Sequence, residues 1–136
     1  MLATEEQNTS EHGYGSEEES VVSLFAKFYG WKTLPTFSEA KKMKEVFEKA
    51  DLCSSKRLNT DIYTKRIQVS AETFLMEAES RGKDAGQDVY CHVVGLGLGV
   101  WQVAAEQNKY FLKAWEQAMK TLKLSHVKDI NFSQSS

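Results

Sequence analysis

The feature that most constrains this chain is a change of hydrophobic period near residue 88. Asp88-Val-Tyr-Cys-His-Val-Val94 is short, β-branched and aromatic, with no helical repeat, and reads as a strand. Gly95-Leu-Gly-Leu-Gly-Val-Trp101 follows directly. Residues 104–122 then resume a helical period, with Phe111, Trp115, Ala118 and Leu122 on one face, and His126–Phe132 reads as a second strand. Strand, glycine turn, helix, strand is a βαβ unit. A helix of this length between two strands implies parallel pairing.

The residues ahead of this unit read as helical. Val21–Trp31 carries Val21, Leu24, Phe25 and Phe28 at helical spacing, with Gly30 as the stop. A second helix is expected from Ser38, its face formed by Met43, Val46, Phe47 and Ala50, with Lys41, Lys42, Lys44 and Lys49 mostly opposite. Residues 51–61 read as a polar connector, with a further strand conceivable near 56–60. A third helix is expected over 62–80, buried along Ile67, Ala71, Phe74, Leu75 and Ala78 and ended by Gly82. The fold class is therefore α/β: helices preceding a βαβ unit with a small parallel sheet.

Composition narrows the function. The chain has 136 residues, enough for one domain with a modest core. Residues 1–20 hold six of the 19 acidic residues and none of the 17 basic ones. They read as an acidic disordered tail ahead of a mildly basic single α/β domain over 21–136. The net charge of −2, without basic-aromatic interleaving, gives nucleic-acid binding little support. No apolar run approaches the length that spans a bilayer, and no secretory leader is visible at the start. Two cysteines, Cys53 and Cys91, are too few for a disulfide framework, so a reduced cytoplasmic or nuclear setting is expected.

Chemistry concentrates in the glycine turn. Glycine lets a backbone approach a ligand closely, and a turn at the C-terminal end of a parallel strand lies where open α/β sheets bind ligands. Backbone N–H groups there, with the positive end of the next helix, favour a phosphate or diphosphate. The run lacks both the Gly-x-Gly-x-x-Gly spacing of dinucleotide folds and the Gly-Lys-Ser/Thr of a phosphate loop. A tight turn packed under Trp101 is the structural alternative. Tyr63 and Arg66 stand three apart on one helical face, where Arg66 can clamp a phosphate and Tyr63 stack a base, or both can edge the core. Cys91 and His92 point to opposite faces of a strand and cannot share a metal, and no Cys-x-x-Cys exists. Cys91 beside His126 is a conceivable nucleophile pair, although a strand cysteine is usually an inert small hydrophobe. No catalytic residue, metal ligand or cofactor follows from these patterns.

The segment from Tyr63 to Phe132 resembles the C-terminal half of a macrodomain, closest to the poly(ADP-ribose) glycohydrolase-like branch. The match runs through Lys65-Arg66-Ile67 with Leu75 and Ala78, Val89–Val94, Gly95–Trp101, Phe111–Leu122 and Val127–Phe132. It also resembles a family of larger proteins carrying the run Val-Gly-Leu-Gly-Leu-Gly-Val-Trp. The resemblance implies a larger macrodomain-like three-layer fold and ADP-ribose as ligand. It implies Gly95, Gly97, Leu98, Gly99 and Val100 as backbone phosphate donors and Trp101 as a wall beside the distal ribose. Residues 1–60 offer no match to the family's adenine-contacting acid, and the Gly-Gly-Gly loop with paired Glu is absent. The expected function is thus non-catalytic binding of ADP-ribose or a related nucleotide diphosphate. The alternatives are an interaction module without a small ligand and a hydrolase of ADP-ribosyl linkages. Two strands make a poor sheet alone, so self-association through a strand edge, or further domains of a parent protein, is expected as well.

Overall fold

The computed structural model of the chain describes residues 2–4, 9, 21–49, 56–94 and 106–133. Its order is β1 (Leu2–Thr4), α1 (Val21–Phe28), α2 (Phe37–Lys42), β2 (Phe47–Lys49), β3 (Lys56–Asn59), α3 (Thr60–Ala85), β4 (Val89–Val94), α4 (Gln107–Thr121) and β5 (Val127–Ser133). This is a mixed α/β fold in two compact units. The first holds the elements up to the opening turn of α3. The second holds α3 from Thr64 together with β4, α4 and β5. Among the described residues no helix is long and apolar enough to cross a membrane.

The first unit is built on a three-stranded antiparallel sheet with β3 in the middle, β1 on one side and β2 on the other. Leu2 faces Leu58, and Phe47 faces Asn59. Two expectations change here. Leu2–Thr4, read as part of a disordered tail, is a strand, because β3 supplies it a ladder partner. Phe47, read on the second helix, is in a strand. The Thr36 side chain and Glu39 cap each other's backbone N–H to start α2, which ends by Met43. Phe47–Lys49 then pairs with β3, a long-range gain that local periodicity cannot report. Met43 is exposed, and Ala50 lies outside the described residues. The strand conceivable near 56–60 is present as β3, in this sheet and not beside β4.

Trp31 anchors this unit. It packs against the buried Phe37, Ala40 and Phe47 and also against Ala26, Leu34 and Ile62, and its indole N–H donates to Asp61 Oδ2 at 2.7 Å. Asn59 caps α3, its Oδ1 accepting from the Ile62 N–H at 3.0 Å. Helix α1 forms as expected. Gly30, at φ 86°, closes it with Trp31 N–H on Ala26 O and Gly30 N–H on Lys27 O. Its apolar stripe, however, is not core: Val21, Leu24, Phe25 and Phe28 are all exposed, and Ala26 is the buried contact.

In the second unit β4 and β5 pair in parallel, with Cys91 beside Ile130 and Val93 beside Phe132. Buried residues come from α3 (Ala71, Leu75, Ala78), β4 (Cys91, Val93) and α4 (Phe111, Ala114, Trp115, Ala118). The Trp115 ring meets Phe74 of α3 and Phe132 of β5 edge-on, each at 5.7 Å between centroids. Helix α3 runs past the expected stop at Gly82. Gly86, at φ 62°, ends it, with Gln87 N–H reaching back to Gly82 O. Gly82 is glycine for a different reason. A Cβ there would sit 2.7 Å from both His126 Cβ and Val89 Cγ2, so α3 touches the sheet at this point.

Candidate functional site

The two ends of the parallel pair differ in chemistry. At the N-terminal end, the Glu79 carboxylate of α3 gathers the start of β5. It accepts from the backbone N–H groups of Ser125, His126 and Val127 at 2.8–3.1 Å and from the Ser125 hydroxyl at 2.8 Å. His126 Nδ1 lies 2.8 Å from Glu79 Oε1. A carboxylate only accepts, so the proton of this bond sits on Nδ1. Partial burial pushes the Glu79 carboxyl up, but the bonds from His126, Ser125 and Val127 outweigh it and hold it well below the usual carboxylate range. The hydroxyl of Ser125 is also on the Nδ1 side, at 3.3 Å, so the trio is not a nucleophile–base arrangement. It lies at the end of the strands opposite to that where open sheets bind ligands, and it pegs α3 to β5. Nothing in the sequence marks it, since Glu79 and His126 are 47 residues apart and Glu79 reads as a surface helix residue.

This peg carries a pH prediction. A carboxyl held below its ordinary value of 4.5 stabilises the folded state fully above that pH, and the contribution fades as pH falls further. Glu79→Gln is expected to melt below wild type at pH 7. The gap should narrow as the pH is lowered from about 4.5, in parallel thermal melts.

The proposed nucleophile pair is not assembled. Val89 N–H donates to His126 O, which places His126 beside the start of β4, whereas Cys91 pairs with Ile130. Cys91 is buried, and burial pushes its thiol up. A raised, sheltered thiol is a poor nucleophile. Among the described residues no cluster of His, Cys, Asp and Glu is fit to hold a metal.

At the C-terminal end, β4 finishes at Val94, and the glycine run begins at the next residue. Gly95, Gly97, Leu98, Gly99, Val100 and Trp101 lie outside the described residues. Tyr63 and Arg66 are three residues apart in α3, Tyr63 partly buried and Arg66 exposed.

The parallel pair β4 and β5, joined through α4, makes this an α/β protein. A family model described as ADP-ribosylhydrolase MavL-like matches residues 1–135, and the chain belongs to this family. It is 31% identical over 146 residues to the ADP-ribosylarginine hydrolase CG3568 of Drosophila melanogaster, and 30% identical over 152 residues to CG2909 of the same organism, also named an ADP-ribosylarginine hydrolase. Each match takes in 98% of this chain and 28% of the relative, so the chain spans little more than a quarter of their length.

Proposed function

We propose that this chain supplies the diphosphate-binding part of an ADP-ribosyl hydrolase. The observation that carries the reading is the position of the glycine run, immediately after the parallel strand β4 and ahead of α4, in a chain of an ADP-ribosylhydrolase family. Backbone N–H groups of Gly95, Gly97, Leu98, Gly99 and Val100 hold the two phosphates, and Trp101 walls the distal ribose. Arg66 adds a cation on the nucleotide side. The arrangement is that of a macrodomain half. The names of the Drosophila relatives favour turnover over binding alone and point to an arginine-linked ADP-ribose as substrate.

In that reaction water oxygen bonds to the anomeric carbon of the distal ribose while the bond from that carbon to the guanidino nitrogen breaks. The water proton is taken by a base, the departing nitrogen recovers one, and ADP-ribose and arginine result. A carboxylate is the usual group for such a step. The reading places binding on this chain and the water-activating group on the portion of the longer relatives that this chain does not span.

Calorimetry of the chain with ADP-ribose tests it. Binding is expected in the micromolar to millimolar range, roughly −8 to −4 kcal/mol. Gly97→Val should raise Kd at least tenfold, about 1.4 kcal/mol, with the far-ultraviolet dichroism unchanged. No heat with ADP-ribose at about 1 mM, where a site in this range is at least half filled, would remove the reading. Release of ADP-ribose from ADP-ribosylated arginine by the chain alone would move the catalytic group onto it.

A further inference from the structure

The second unit leaves an open groove of about 730 Å³ between α3 and β4. Val69, Phe74 and Ala78 line it from the helix, and Val89, Tyr90 and Cys91 from the strand. Val69 and Tyr90 are exposed, at 47% and 73%. Among the described residues β4 has one strand partner, β5.

The two strands of this sheet differ in kind. β5, Val-Lys-Asp-Ile-Asn-Phe-Ser, carries Lys128 and Asp129, both exposed, in the manner of a strand that ends a sheet. β4, Val-Tyr-Cys-His-Val-Val, has no carboxylate, lysine or arginine, and reads as a strand from the interior of a parallel sheet. A two-stranded parallel sheet buries too little to stand alone, and parallel strands are normally covered on both sides. The groove lies along β4 from Val89 to His92, and its α3 side is mixed, with Val69, Phe74 and Ala78 interspersed with Ser70, Thr73 and the Glu77–Arg81 ion pair. The Drosophila relatives carry more than two-thirds of their length outside the region this chain matches.

We infer that the α3–β4 groove is the docking site for an extended segment from the portion of the family's longer chains that lies outside this match, which adds a strand beside β4. Main-chain hydrogen bonds to β4 supply affinity, and apolar side chains at alternate positions fill the groove against Val69 and Phe74. The inference is independent of what the glycine run binds.

The test mixes the full 136-residue chain with the part of CG3568 outside its match, co-expressed as two polypeptides so that neither has to fold alone. A 1:1 complex is expected, in which the backbone amides of Val89–His92 exchange at least tenfold more slowly than in the free chain, while those of β5 are unchanged. The double variant Val69→Asp with Tyr90→Asp, both at exposed positions, should retain native dichroism and weaken the complex at least tenfold. Failure of the co-expressed pieces to associate overturns the inference. So does a complex that protects β5 and leaves β4 exchanging freely. Concentration-dependent protection of β4 in the chain alone would assign the groove to a second copy and overturn it too.

Discussion

Trp115→Ala is expected to lower the stability of the protein by about 3–5 kcal/mol and its Tm by about 10–20 °C. Trp115 is 6% exposed and is the ring that joins α3, α4 and β5 through Phe74, Phe111 and Phe132. Truncation leaves a cavity bounded by these rings, and exposed Phe74 offers water a way in. A companion substitution separates ring packing from hydrogen bonding. Among the described residues the buried indole N–H of Trp115 has no hydrogen-bond partner, so a phenyl ring forfeits no bond seen there. Trp115→Phe should therefore cost only about 1 kcal/mol. Equal losses for Phe and Ala in thermal melts would show that the edge-on ring contacts are not what holds the unit.

Gly82→Val is the second large effect, expected at about 2–3 kcal/mol. The sign decides between two accounts of this glycine. If Gly82 only lowered helix propensity, replacing it by alanine in mid-helix would stabilise the protein by up to about 1 kcal/mol. The structure argues otherwise. The added Cβ meets His126 Cβ and Val89 Cγ2 at 2.7 Å and Gln87 O at 3.0 Å. Neither a side-chain root nor a backbone oxygen swings away easily, so α3 must lift from the strands and strain the Glu79–His126 bond. Gly82→Ala should be destabilising but milder than Val. A Gly82→Ala variant with a raised Tm would refute the close approach.

Parts of the fold were legible because they rest on local pattern. The βαβ unit follows from a period change at residue 88 and a helical stripe through Phe111, Trp115 and Ala118, and β4, α4 and β5 form there with parallel pairing. The start of α1 at Val21 and its stop at Gly30 were equally local, a stripe and a left-handed glycine. The glycine run stood out as a motif suited to a phosphate, and the resemblance of the segment around it pointed to the ADP-ribosyl chemistry named in the family's description.

Local pattern therefore sets the elements whose signal lies within one helix turn or one strand. Tertiary structure decided what depends on partners far along the chain. Leu2–Thr4 is a strand only because Leu58 lies opposite Leu2, and Phe47 leaves its helix pattern because Asn59 lies opposite it. Gly82 is required by contact with Val89 and His126, the latter 44 residues on, not by a helix end. Glu79 becomes a peg because three backbone N–H groups and one imidazole converge on it from a distant turn. Local periodicity records which face of a segment is apolar. It carries no record of what that face will meet, which is why the stripe of α1 reads as core and stands exposed.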